Sequence, residues 1–179
     1  IDVGNELDWV WEKHKVPSKN VIDLIVRVVE GVKNNTEVLV CQGWGAGIKY
    51  NTFIPRRTSN YLADVDVDFY NIHYYDWQNK PFGNPFDRSP SDYKMDSKPC
   101  IIGEASAKGS AGYTAQQCYQ KAFEQGWQGL MVWTSNGIDG NGSKLDSKPG
   151  TDWIYDHYPH LVQGVEEIKE DNTSESIVE

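Results

Sequence analysis

Apolar and polar positions along the chain switch between a period near two and a period near 3.6, which predicts strands and helices in alternation. Residues 1–6 open as a strand ending at Glu6. Val21, Leu24, Ile25, Val28, Val29 and Val32 then recur at helical spacing behind Ser18, a candidate N-cap, and Asn34 and Asn35 end that helix. A β-rich run follows at 37–44, then a Gly-rich loop and a long polar segment holding Arg56 and Arg57. The next strand covers 64–75, and a proline-rich loop leads to a short strand at 99–104. Thr114 caps a helix closed by Gly126, a buried strand occupies 129–133, and 136–150 is a glycine-rich loop. A last helix is expected from 152 to about 170, and the acidic, Ser-rich residues 171–179 form a frayed tail.

Two features of this pattern bear on topology. Within 64–75 the alternation puts Phe69, Asn71, His73 and Tyr75 on one side and Tyr70, Ile72 and Tyr74 on the other, so both faces are covered. The strand ends at Glu6, Trp44, His73, Glu104 and Trp133 are 38, 29, 31 and 29 residues apart by subtraction, a βα repeat in structure though not in sequence. Strands alternating with helices predict a parallel sheet with right-handed crossovers. Polar or aromatic residues close each strand at its C-terminal end, where barrels and open α/β sheets both place their chemistry. The glycines at 43, 45 and 47 do not form the GxGxxG turn of a dinucleotide-binding sheet.

Composition narrows the function. The formal net charge of -9, with 26 acids against 17 bases, excludes a nucleic-acid surface, which needs clustered Lys and Arg, and favours a neutral substrate. Seven Trp and ten Tyr, many beside polar residues at strand ends, suit sugars, whose ring faces stack on aromatic planes while their hydroxyls take hydrogen bonds. Ordinary core aromatics are the alternative. Cys41, Cys100 and Cys118 have no zinc spacing, and Cys100 with Cys118 is one possible bridge. No apolar run is long enough for a membrane span, so no membrane partner is expected. N-x-Ser/Thr patterns at Asn34, Asn141 and Asn172 would suit an extracellular, secreted protein.

Four motifs carry the chemistry: DVGNELDW, DFYNIHYYDW, CIIGEA and GLMVWTSNGIDG, in that order, each closing an expected strand. Together they resemble the clan of (β/α)8 retaining glycoside hydrolases that includes glycoside hydrolase family five, from the fourth strand onward. The resemblance covers residue 1 to about His160 and implies an α/β fold, the C-terminal part of a (β/α)8 TIM barrel with about five parallel strands. It makes residues 1–170 a partial glycosidase barrel. By the same resemblance Glu6 is the catalytic acid/base and Glu104 the catalytic nucleophile. Asn5 binds the sugar 2-hydroxyl, His73 and Tyr75 form the His-x-Tyr motif, and Trp133 is the floor beneath the sugar next to the scissile bond. Trp44 falls at the fifth strand end as a further substrate-binding candidate, and Trp77 and Tyr113 extend the aromatic set.

The residue types fit the reaction. Retaining hydrolysis needs two carboxyl groups roughly 5 to 5.5 Å apart, one to protonate the leaving oxygen and one to attack the anomeric carbon. Glu6 is then expected to hold a proton while Glu104 is ionised, a split that different surroundings impose on neighbouring carboxyls. Tyr75 lies on the same side as His73, so its hydroxyl is placed to hold Glu104. Neighbours in a regular strand point oppositely, so Asn5 and Glu6 both reach the site only if the strand bends or bulges. The resemblance also implies a cis peptide after Trp133. Neither a metal nor a cofactor is expected, and the DGNG run at Asp139 is a tight turn rather than a calcium loop.

A whole barrel has eight strands and about 250 residues, whereas about five strands are expected here. The missing N-terminal half of the barrel is therefore an expected partner, either as the rest of a longer chain, as a nicked half that stays bound, or replaced by dimerisation. The function expected is an endo-acting hydrolase of β-1,4-linked polysaccharide, with mannan and cellulose both open as substrates. The alternatives are a catalytically silent carbohydrate-binding or interaction module derived from such an enzyme, and an unrelated α/β domain.

Overall fold

The computed structural model describes residues 1–45, 65–79, 83–93 and 95–162. Arg56, Arg57 and the expected acidic tail lie outside them. Four short strands, β1 (Gly43–Trp44), β2 (Tyr70–His73), β3 (Cys100–Glu104) and β4 (Gly129–Leu130), form one sheet in sequential order. Every pairing is parallel. The N-terminal segment adds a fifth, strand-like edge. It makes a bridge from Asp2 to Cys41, with Val3 N–H donating to Cys41 O at 2.9 Å and Cys41 N–H to Ile1 O at 2.8 Å. The expected continuous strand over 1–6 is thus reduced to a short ladder, and that over 37–44 to its last residues. Val38 and Leu39 are exposed rather than buried in the sheet.

Helices α1 (Asp8–His14), α2 (Ser18–Asn35), α3 (Ala115–Glu124) and α4 (Lys144–His157) make the other layer. Helix α2 buries Val21, Ile22, Ile25 and Val29, residues spaced by one turn, and leaves Leu24 in solvent. Ser18 is its first residue, not its cap: Pro17 stands at that position, where a fixed φ suits helix entry. Helix α3 has the expected cap. Thr114 Oγ1 accepts from Gln117 N–H, and Gln117 Oε1 accepts from Thr114 N–H at 3.0 Å.

Helix α4 corrects the expected loop at 136–150. Ser143 and Asp146 form a second capping pair, Ser143 N–H donating to Asp146 Oδ2 at 2.8 Å, and the helix runs through Pro149 and Gly150. Lys-Pro-Gly reads locally as a turn, but a Cβ at Gly150 would lie 2.2 Å from the Tyr119 ring, so the glycine lets α4 close on α3. Packing overrides propensity there.

The core lies on the helix side of the sheet. Tyr70 and Ile72 of β2 and Tyr74 just after it join Cys100 and Ile102 of β3 and the apolar face of α2, with Phe86 edge-on to Tyr74 at 5.8 Å. Asn71 and His73, one residue out of phase, face the opposite side. All three cysteines are buried and free, so Cys100 and Cys118 do not form the bridge left open by their spacing.

Candidate active site

The site sits at the C-terminal ends of the strands, and both of its carboxylates arrive through a break in strand regularity. In β3, Ile102 belongs to the core, and a regular strand would send Glu104, two residues on, to the same face. The pairing slips instead: Ile72 stands opposite Ile102, but His73 stands opposite Glu104. One extra residue, Gly103, is absorbed as a β-bulge, and Glu104 turns to the side of His73. Glycine is needed there because a Cβ would lie 1.8 Å from Asn71 Oδ1.

The N-terminal edge uses a second irregularity. After Val3 N–H bonds Cys41 O, a regular parallel ladder would give the next rung to Asn5, yet it is Glu6 N–H that donates to Gly43 O, at 3.0 Å. Glu6 takes a left-handed φ of 48°, an uncommon conformation for a residue with a Cβ, which turns the chain from the ladder into α1. The bend demanded by the Asn5-Glu6 pair is therefore present. It directs Glu6 inward and leaves Asn5 exposed.

His73 joins the two carboxylates. Its ring is buried, with Nδ1 2.9 Å from Glu6 Oε1 and 3.5 Å from Glu104 Oε1. Tyr75 O–H donates to Glu104 Oε2 at 2.9 Å. Facing oxygens of Glu6 and Glu104 and the His73 nitrogen all lie within 4.8 Å of one another. These three residues also form the one group among the described residues with donors close enough to share a metal ion.

The surroundings order the two acids. The His73 hydrogen bond holds Glu6 below the usual carboxylate range, opposed by partial burial and helped by a hydrogen bond from Trp9. Burial pushes Glu104 up, and the contacts from His73 and Tyr75 only partly offset it. Tyr75 is driven far above the tyrosine range by burial and by the Glu104 charge, so its hydroxyl stays a donor. This order is opposite to the expected one, in which Glu6 carries the proton and Glu104 is ionised. The causes are the imidazole contact on Glu6 and the burial of Glu104.

Glycines and amides behind the pair leave room for it. A Cβ at Gly43 would meet His73 Nε2 and Asp2 Oδ2, each at 2.7 Å. Asp2 itself accepts from Gly43 N–H at 3.1 Å and from Asn71 Nδ2 at 3.2 Å. Gln78, buried beneath Tyr75, accepts from Tyr75 N–H and donates to Gly45 O, both at 2.6 Å.

The aromatic candidates separate. Trp133 is 46% exposed, its indole N–H donates to Asp139 Oδ2, and its peptide bond to Thr134 is cis. The Asp139 turn also closes on Asn141 N–H at 3.0 Å. Trp44 is a correction: at 2% exposure it is packed in the hydrophobic core and offers no free ring face for a sugar. Tyr113 is engaged elsewhere, with its hydroxyl on Asp87 at 2.7 Å and Lys121 Nζ 4.5 Å from its ring centre. Trp77 is 55% exposed and pairs with Trp9 at a ring separation of 6.0 Å.

Trp9 and Lys13 were not anticipated. With Glu6, Gly45, Tyr75 and Trp77 they line an open cleft of about 450 Å³. The sequence held one signal, Trp9 and Lys13 at i and i+4 directly after Glu6, but it is legible only once residues 8–14 are known to be a helix.

No family model matches the chain. Among characterised proteins, it is 35% identical over 77 residues to a mannan endo-1,4-beta-mannosidase of Mytilus edulis, a match covering 42% of this chain and 20% of that protein. It is 26% identical over 137 residues to a mannan endo-1,4-beta-mannosidase of Cryptopygus antarcticus, covering 70% of this chain and 36% of the relative. The chain thus spans well under half the length of the relatives it matches. Two solved structures share its fold: an endo-1,4-beta-mannanase from Eisenia fetida, with TM-score 0.62 and 24% identity over 78% of this chain and 42% of the other; and a beta-1,4-mannanase from Aplysia kurodai, with TM-score 0.59 and 20% identity over 77% and 41%. The chain is thus similar in sequence to parts of two mannan endo-1,4-beta-mannosidases, and it shares its parallel βα fold with parts of two solved mannanases.

Proposed function

We propose that this chain carries the two catalytic carboxyls of an endo-acting β-1,4-mannanase that works with retention of configuration. The observation that carries the reading is the pair itself: Glu6 and Glu104, from separate strand ends, face each other with oxygens within 4.8 Å. That fits the short carboxyl separation of a double-displacement glycosidase better than the roughly 6.5 to 9.5 Å of an inverting one. Mannan, rather than cellulose, is the substrate favoured by the names of the relatives.

In this mechanism Glu104 attacks the anomeric carbon while Glu6 gives its proton to the glycosidic oxygen, and the sugar-oxygen bond breaks. Glu6, now ionised, takes a proton from water, which attacks the same carbon and releases Glu104. Tyr75 holds the nucleophile's second oxygen, and Trp133 offers its exposed face to the sugar under attack. Polysaccharide is the partner this geometry serves. The His73 hydrogen bond lowers Glu6 and burial raises Glu104, so a bound sugar has to shift this balance for Glu6 to act as the acid.

The test is turnover of β-mannan and mannohexaose by the protein and by Glu6→Gln and Glu104→Gln. Loss of the acid is expected to cost roughly 10²- to 10⁴-fold. Azide then distinguishes the roles: with Glu6→Ala it should yield a β-glycosyl azide, and with Glu104→Ala an α-glycosyl azide. Turnover that survives both substitutions would sink the mechanism, and reversed azide products would exchange the two roles. Mannan binding without turnover would instead support a carbohydrate-binding module.

A further inference from the structure

The backbone of Trp133 is fixed to the segment that follows the nucleophile. Trp133 N–H donates to Ala105 O at 2.7 Å, and Ala107 N–H donates to Trp133 O at 2.9 Å, so its peptide frame is laddered onto residues 105–107. The ring is held differently. It is 46% exposed and lies outside the hydrophobic core, so core packing does not set its tilt. Its indole N–H donates instead to Asp139 Oδ2.

Asp139 has one oxygen more than its turn requires. An Asx turn at 139–141 uses a single side-chain acceptor, and Asp139 Oδ1 fills that place by accepting from Asn141 N–H at 3.0 Å. The other oxygen reaches back six residues to the indole. The Asn141 amide first, with the Trp133 indole among the further contacts, holds Asp139 below the usual carboxylate range, so the ring N–H faces a charged acceptor.

The turn is in turn seated on the residues just after β3. An antiparallel bridge between Asn136 and Ser143 closes its base. Ser106 Oγ donates to Asn141 O at 3.0 Å, and Lys108 Nζ donates to Gly140 O at 2.8 Å. Gly142 permits the close seat: it is buried at a φ of 99°, and a Cβ there would lie 2.8 Å from Lys108 Cγ and 3.0 Å from Lys108 N. A chain of contacts therefore runs from the residues after Glu104, through the turn, to the ring of Trp133.

Building on the proposed hydrolase, we propose that Asp139 is a positioning residue for Trp133, and that the 139–142 turn, latched by Ser106 and Lys108, fixes the ring relative to Glu104. Asp139 acts through the indole. A ring free to tilt presents the anomeric carbon to Glu104 in fewer productive poses, so the loss on removing the carboxylate falls on kcat.

Proton–nitrogen correlation spectra read the ring without turnover. Trp133→Phe identifies the indole N–H signal of Trp133 by its disappearance, and unchanged positions of the other signals report an intact fold. Asp139→Ala should move that signal upfield and speed its exchange with solvent, whereas Asp139→Asn, which keeps an oxygen acceptor, should leave it near its original position. Ser106→Ala combined with Lys108→Met touches neither Trp133 nor Asp139 and should shift it in the same direction as Asp139→Ala. On mannohexaose, Asp139→Ala should lower kcat by roughly three- to tenfold, the loss of about one hydrogen bond, with most of it recovered in Asp139→Asn. In a Trp133→Phe background, which has no indole N–H, Asp139→Ala should bring no further loss. An unmoved indole signal in Asp139→Ala, or an equal loss of kcat with and without the indole N–H, would overturn the positioning role. An unmoved signal in the Ser106 and Lys108 variant would overturn the latch. A wild type that turns over no mannan yet shows the expected shifts would count against the hydrolase reading alone.

Discussion

His73 Nδ1 lies 2.9 Å from Glu6 Oε1 and stands only slightly farther, 3.5 Å, from Glu104. A single nitrogen faces both carboxyls and lies nearer Glu6. Its hydrogen bond lowers Glu6, while burial raises Glu104. The two acids are close enough to titrate as a pair, so the pH profile reports the pair's values rather than one residue's.

Removing the imidazole has a definite sign. His73 favours the ionised form of both acids, so His73→Ala should raise both, Glu6 more because it loses the direct hydrogen bond. Both limbs of the kcat/KM profile on mannohexaose should move to higher pH. A basic limb that stays or moves down would contradict the lowering of Glu6 by His73.

Tyr75→Phe isolates the other side of the pair. The lost hydrogen bond, 2.9 Å from Tyr75 O–H to Glu104 Oε2, lowers the carboxyl it touches, so Glu104 should rise further and the acidic limb should move up. A hydrogen bond to a charged group contributes about 1.5 to 3 kcal/mol, which predicts a fall in kcat of roughly 10- to 100-fold. Steady-state kinetics across pH checks both. A fall in kcat with no movement of the acidic limb would mean that Tyr75 acts on the sugar rather than on Glu104.

Much of this arrangement is legible in the chain, and the rest fails for physical reasons. The period-two pattern over 64–75 put Asn71, His73 and Tyr75 on one side, and their contacts lie there. The Asn-Glu pair demanded a break in the strand, and Glu6 supplies it with a positive φ. The bulge at Gly103 was not legible, because register is set by the partner strand; parity alone would have placed Glu104 in the core. Trp44 read as a platform because it closes a strand, but whether a strand-end aromatic faces the site or the helices depends on packing. The Pro-Gly inside α4 misled for a similar reason, since Tyr119 lies far away in sequence.

Gly45→Ala should separate the site from the fold. The added Cβ meets Trp9 Nε1 and Glu6 Cδ, both side-chain atoms able to swing away, so the sheet is expected to stand while the acid is displaced. Misplacing a catalytic group by about 1 Å costs on the order of 10²-fold. kcat/KM on mannohexaose should fall by about that factor, with circular dichroism and thermal unfolding little changed. A variant that unfolds early, or one that keeps full activity, would show that the close approach of Trp9 and Glu6 over Gly45 is not what the glycine provides.

Gly103→Ala should strike the fold and the site together. A Cβ there would lie 1.8 Å from Asn71 Oδ1 and 2.6 Å from its Cγ, and Asn71 is 6% exposed, with Nδ2 held by Asp2 at 3.2 Å. The buried Asn71 side chain has no open space to move into, so overpacking of about 1 to 3 kcal/mol is expected. Relief can come only from shifting β3 against β2 at the bulge, which would also turn Glu104 away from His73 and Tyr75. Pairing the change with Asn71→Ala removes the obstructing amide and should recover part of the loss, giving a coupling of about 0.5 to 3 kcal/mol between the two positions. Urea unfolding of the two single variants and the double variant measures it. Strictly additive losses would show that the glycine is required by the bulge's backbone and not by the asparagine packed against it.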